Sequence, residues 1–138
     1  MLGVTHNDQI GKIGEMQFDI DCTKRDLFCS WPTIDRNGYD CIVDNGTRLI
    51  KVQIKSSNSK QIKSEGNPFY KISVRKGLKG RDSYTKDCFD VLAMYLIPED
   101  KWYIMPFEDI YNTCISIYIN SEKSKYKKYE NNWDLLNL

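Results

Sequence analysis

Residues 39–56 constrain this chain more than any other stretch, because a turn dipeptide lies between two runs of strand-forming residues. Asn45-Gly46 predicts a two-residue hairpin joining a strand over residues 39–43 to a second over residues 48–56. Asp44 stands beside that turn, where aspartate is explained by bonding to turn amides. On the second strand Val52 and Ile54 face one side, and Lys51, Gln53 and Lys55 face the other, since strand side chains alternate. Lysine and glutamine are poor strand formers, so that second face looks onto solvent or onto a polar site.

The remaining pattern is coarser. Thr5, Asn7 and Asp8 are candidate N-caps for a helix running to about Thr23, with Ile10, Ile13, Met16 and Ile20 as its apolar stripe and Glu15 off it. A short strand over residues 27–31 closes at Pro32, and Asn37-Gly38 marks a turn. Residues 69–75 predict another strand. The polar segments 57–68 and 76–86 around it read as loops able to tighten on a ligand. Residues 89–97 and 101–106 form a hairpin around Pro98, Glu99 and Asp100. A helical turn near 107–111, a strand over 114–118 and a charged helix from about Ser121 follow. The expected fold is α+β or α/β, a mixed central β-sheet flanked by helices. With 138 residues, no repeat and no Pro-rich linker, a single domain spanning residues 1–138 is expected.

Several classes are excluded by what the residues lack. No apolar run approaches the ~20 residues of a membrane span, and residues 1–9 have no basic patch followed by an apolar stretch. An intracellular, cytoplasmic protein is expected. Five cysteines form an odd set without a C-x-x-C pair, which predicts reduced thiols, with Cys29, Cys41 and Cys114 acting as small buried hydrophobes. The one histidine, His6, falls in an N-terminal segment expected to be mobile and solvated, so cysteine–histidine and serine–histidine chemistry lacks a base.

The net charge of +1 conceals a sharp division. Residues 51–86 carry ten Lys or Arg against Glu65 and Asp82, a net of +8, whereas the segments on either side are acidic. Such a block is the footprint of a polyanion partner. Lys51, Lys60, Lys63, Lys71, Arg75, Lys76, Lys79 and Arg81 are its candidate phosphate contacts, and an arginine among them could read guanine. A second cluster, Lys123, Lys125, Lys127 and Lys128 with Tyr126 and Tyr129, reads equally well as backbone contacts or as an amphipathic helix over the core.

Asp40 heads the first hairpin strand, and Gln53 and Lys55 sit two apart on its partner, which sets an anion beside a cation. That suits phosphodiester hydrolysis. Magnesium takes hard oxygen ligands and keeps several waters, so Asp40, Gln53 and Glu15 are candidate ligands, with Lys55 beside the attacking water. Glu15 in GKIGE, Asp40 in GYDCIV, and Gln53 and Lys55 in VQIKSS resemble the PD-(D/E)XK nuclease superfamily. Among its members the chain is most similar to the small group I intron-encoded homing endonucleases, in which glutamine replaces the usual acid. Residues 89–106 look like the strand pair of those enzymes, so the resemblance covers residues 11–106 and leaves the C-terminal tail outside. The D-x(12)-Q-x-K spacing alone is common; the specificity lies in the order of helix Glu, hairpin Asp, alternating strand and basic block.

The resemblance implies a restriction-endonuclease-like core and magnesium-dependent, site-specific cleavage of double-stranded DNA by Glu15, Asp40, Gln53 and Lys55. It also implies a homo-oligomer, dimer or higher, because one active site cuts one strand. Archaeal-type Holliday junction resolvases share the layout, which leaves a structure-specific nuclease as an alternative. Gln53 removes one negative charge, which leaves a non-catalytic DNA-binding module on the same fold as another.

Overall fold

The computed structural model describes residues 5–34, 38–63, 66–76 and 82–138, without the side chains of Lys76 and Asp82. Lys79, Arg81, the Lys76 side chain and Asn37 of the expected Asn37-Gly38 turn thus lie outside the described residues. In chain order the elements are α1 (His6–Thr23), β1 (Phe28–Ser30), β2 (Cys41–Asp44), β3 (Leu49–Ser57), β4 (Lys60–Gln61) and β5 (Phe69–Ser73). They continue with β6 (Arg75–Lys76), β7 (Asp82–Ser83), β8 (Val91–Leu96), β9 (Lys101–Pro106) and β10 (Cys114–Tyr118).

A five-stranded sheet in the order β1-β2-β3-β8-β9 forms the centre. Its pairs are antiparallel except β3 with β8, which run parallel from Val52↔Val91 to Ser57↔Leu96. On one face α1 lays Phe18 and Cys22 against Val52, Ile54, Ala93 and Trp102. On the other, Leu92, Met94 and Met105 meet Tyr70, Ile72, Ile115 and Ile117 of a three-stranded sheet, β10-β5-β4. The run VLAMYL of β8 is therefore buried along its whole length, as expected of a strand covered on both faces. The α+β expectation holds, but the second covering layer is a sheet and not the expected helix.

Helix α1 begins where its cap chemistry dictates. The Thr5 hydroxyl accepts from the Asp8 amide at 3.1 Å while the Asp8 carboxylate accepts from the Thr5 amide at 3.0 Å. His6 is accordingly the first helical residue and not part of a loose leader. The expected stripe is wrong: Ile13, Met16 and Ile20 are each about half exposed, and the buried line is Gly14, Phe18 and Cys22. Gly14 explains the rotation. A Cβ there would overlap Ser56 Oγ and stand 3.1 Å from Ser56 Cβ, so the helix approaches β3 along its smallest residue. Gly14→Ala is expected to cost about 1–3 kcal/mol by overpacking, and Ser56→Gly to restore most of it; thermal melts of the two single variants and the double variant measure this.

Three further expectations need correction. The β2–β3 connection is a four-residue loop, since Asp44 pairs with Leu49. Asn45 Oδ1 takes the amides of Thr47 and Arg48 at 2.9 Å, and its Nδ2 donates to the Leu136 carbonyl at 2.8 Å, so the asparagine organises a longer loop than a tight turn needs. Asp44 bonds the Gly46 amide at 2.8 Å, which agrees with its reading as a turn residue. The C-terminal segment forms two 3-10 turns, Lys127–Tyr129 and Trp133–Asn137, instead of a helix. Asn131 breaks it at φ +50° and gives its amide to the Trp102 carbonyl at 2.7 Å, while Tyr126, Tyr129, Trp133 and Leu136 are buried. Cys22 and Cys41 are buried, Cys29 is half-buried, and Cys114 is exposed, contrary to expectation; none of the five is in a disulfide.

Candidate active site

The site grows from an unpaired edge. Strand β2 accompanies β3 only as far as Cys41↔Val52, whereas β8 follows it to Ser57, so beyond Val52 one edge of β3 has lost its neighbour strand. The Asp40 amide still donates to the Val52 carbonyl at 2.9 Å. One ladder step further, the Ile54 amide donates to Asp40 Oδ2 at 2.7 Å, and the aspartate side chain takes the place of a strand. Gln53 Nε2 donates to the same oxygen at 3.0 Å. Asp40 is thus held by two N–H donors, and the Ile54 carbonyl lies on the edge it caps.

A cleft of about 490 Å³ opens at this edge. Asn7, Gly11 and Glu15 of α1 form one wall, Asp40, Lys55 and Ser56 the floor, and Asn58 and Lys71 the opposite wall. Glu15 and Asp40 also border a neighbouring cleft of about 400 Å³ with Trp31 and Tyr39. Glu15, Asp40 and Lys55, drawn from three segments of the chain, therefore share one cleft. Gln53 stands behind Asp40 and is only 7% exposed.

Lys55 is the unusual cation. Its Nζ sits 5.5 Å from the centre of the Tyr84 ring. Burial holds its ammonium below the ordinary lysine range, and the negative charge of Asp40 opposes that shift. Tyr84 is pushed up to about 12, first by burial and then by Asp40 and Cys88. Tyr84 gave no signal in the sequence, because the polar segment 76–86 reads as a loop. The Ile54 carbonyl was equally hidden, since only strand register reveals it. Ser56 Oγ on the cleft floor is buried with no hydrogen-bond partner.

The basic candidates separate by surroundings. Lys71 is exposed on the cleft rim. Lys51 Nζ donates to the Asp87 carbonyl at 2.7 Å, Lys60 pairs with Glu99 at 3.2 Å, and Lys63 lies 5.5 Å from the Phe69 ring centre. Arg75 Nη2 donates to Thr113 Oγ1 at 3.0 Å.

Among the described residues no group of three or more His, Cys, Asp or Glu is arranged to hold a metal. The cleft instead offers two carboxylates, Glu15 and Asp40, with the Ile54 carbonyl as a neutral oxygen beside them, while Gln53 turns its Nε2 to Asp40 and to that carbonyl at 3.4 Å. That all-oxygen set suits a hard divalent cation whose remaining positions go to water and phosphate, and it lacks the nitrogen and sulfur donors zinc prefers.

A family model described as PD-(D/E)XK endonuclease matches residues 5–136, a span that takes in the C-terminal segment as well as the cleft. No curated protein matches the sequence. Among solved structures the chain is similar to a bacterial homing endonuclease, I-Ssp6803I, with a TM-score of 0.79 and 22% identity over 96% of this chain and 94% of that one. At that identity the likeness is one of fold.

Proposed function

Since the chain belongs to the PD-(D/E)XK endonuclease family, we propose that it is a magnesium-dependent, site-specific endonuclease of double-stranded DNA, acting as a homo-oligomer. The observation that carries this reading is the Asp40 carboxylate fixed at the open edge of β3, on the same cleft as Glu15 and Lys55. Asp40 and Glu15 would hold the cation, with the Ile54 carbonyl and Gln53 beside them. When bound, the ion supplies positive charge at the scissile phosphate and makes a water more acidic.

The chain's own residues do the positioning. Ile54 and Gln53 orient Asp40 through their N–H groups, so its carboxylate needs no reorganisation during the reaction. Lys55 projects from the floor of a partly dry cleft, where a charge interacts more strongly than in water, and stabilises the negative charge that builds on the phosphate. Gln53 is neutral where the family's usual acid would stand, so Asp40 and Glu15 would be the carboxylates that hold the cation. Lys71 on the rim receives the backbone next to the cut.

Incubation of the protein with a large pool of linear duplexes and four-way junctions, with Mg²⁺ or with chelator, tests this. Discrete cuts in linear DNA that need Mg²⁺ and disappear in Lys55→Ala are expected. Cuts confined to junctions would replace site specificity with branch recognition. Binding without cleavage in any divalent metal would leave a non-catalytic module.

A further inference from the structure

A second cleft, of about 430 Å³, lies outside the catalytic one. Asn67, Asn112, Ser116, Ser121, Lys123 and Lys125 contribute to its lining. Each can donate a hydrogen bond, and among the described residues no carboxylate lines it. The nearest acid in sequence, Glu122, is turned to Lys127 at 3.8 Å. Lys123 and Lys125 have no ion-pair partner among the described residues, whereas Lys60, Lys86, Lys101 and Lys127 are all paired. A concave surface of donors with two uncompensated ammonium groups is built for a polyanion and repels cations.

Its position fixes what it adjoins. Ser116 of β10 stands directly opposite Lys71 of β5. Their neighbours Tyr70, Ile72, Ile115 and Ile117 fill the core, so Lys71 and Ser116 share the outer face. Lys71 borders the catalytic cleft and Ser116 the second one, so residues paired on neighbouring strands of one face line the two clefts. Building on the nuclease reading above, we propose that the second cleft binds the sugar-phosphate backbone flanking the cut. A strand with its scissile phosphate at Lys55 then crosses the Lys71–Ser116 pair and delivers flanking phosphates to Lys123 and Lys125. The cluster at residues 123–125 thereby acts as an extension of the active surface, while Lys127 belongs to the local ion pairs that anchor the tail.

The experiment measures binding of a mixed-sequence duplex in chelator across a salt series, and cleavage in Mg²⁺. Lys123→Ala/Lys125→Ala should make the slope of log affinity against log salt shallower by about 2, weaken all sequences alike and raise KM while leaving kcat unchanged. Lys24→Ala/Arg48→Ala removes the same charge at exposed positions away from both clefts and should leave the slope near the parent value. Ser116→Asp, which sets a carboxylate opposite Lys71, should weaken binding further. Equal effects from both lysine and control pairs, or no effect from Lys123→Ala/Lys125→Ala and Ser116→Asp in a protein that still cuts DNA, would overturn this inference alone. A parent protein that neither binds nor cuts overturns the nuclease reading beneath it.

Discussion

Asp40→Asn is expected to lower DNA cleavage by about a thousand-fold or more while the protein stays folded. Asparagine keeps the shape and one acceptor oxygen, so the Ile54 amide retains a partner in place of the 2.7 Å bond it now makes. What disappears is the charge, and with it most of the attraction for a divalent cation in a cleft where, among the described residues, Glu15 is the other carboxylate. Exchanging a charge-assisted hydrogen bond for a neutral one lowers stability by about 1 kcal/mol. Asp40→Ala behaves differently, because the Ile54 amide loses its acceptor, at roughly 1–3 kcal/mol for a buried donor, while Gln53 Nε2 keeps only its longer bond to the Ile54 carbonyl at 3.4 Å. Cleavage rates beside thermal melts of the two variants separate the loss of charge from the loss of the edge cap. Cleavage by Asp40→Asn at near the parent rate would sink the assignment.

Lys55→Met is expected to reduce cleavage by about a hundred- to a thousand-fold and to make the protein more stable, by ~1 kcal/mol. The side chain is partly buried and ends against the Tyr84 ring, a contact the methionine stem can still make. The ammonium is the costly part, since burial disfavours it more than Asp40 favours it. A lysine whose folded-state pKa lies below its unfolded value destabilises the fold wherever it must be protonated. The advantage of Lys55→Met is therefore full at neutral pH. It shrinks as pH rises through the lowered folded value and vanishes near the ordinary 10.5, where the unfolded lysine also loses its proton. Denaturant melts at neutral and alkaline pH read the difference directly. A methionine variant less stable than the parent at neutral pH would show that Lys55 is a structural cation.

How legible these features were depends on the range of the interaction that creates each one. The β2–β3 hairpin, the β8–β9 pair and β10 announce themselves, because alternation and turn residues are local. Asp40, Gln53 and Lys55 fall near one another from residue types and spacing, but the four-residue loop, and not the expected two-residue turn, sets the register that brings Gln53 to Asp40. The orientation of α1 was not legible. Apolar periodicity selected Ile13, Met16 and Ile20, but the helix sits where its backbone can approach Ser56, and a glycine carries no hydrophobic signal. Tyr84 reaches Lys55 from a segment that looks like a polar loop, a contact only tertiary packing makes. The C-terminal segment has helix-like spacing of Tyr126, Tyr129 and Trp133, yet the positive φ of Asn131 and its bond to Trp102 divide it into short turns. The covering sheet on the far side of β8 was hidden as well, because a strand buried on both faces does not say what buries it.

The parallel pairing of β3 with β8 also orders the assembly of the chain in time. Lys51 and Asp90, which exchange bonds at the start of that pairing, are 39 positions apart, whereas Asp40 and the Ile54 amide are separated by 14. Closing the longer loop costs more chain entropy before any contact repays it, so the β2–β3 hairpin forms in the faster step and β8 docks in the slower one. Until it docks, β3 is unpaired on its second edge and Val52 and Ile54 lack the cover of Val91 and Ala93. The hairpin therefore sets Asp40 against Ile54 early, but Lys55 meets its dry surroundings only once β8 and the Phe89–Tyr84 contact behind it are in place. The onset of competence is thereby tied to completion of the central sheet, which both steadies the hairpin that carries Asp40 and buries Lys55.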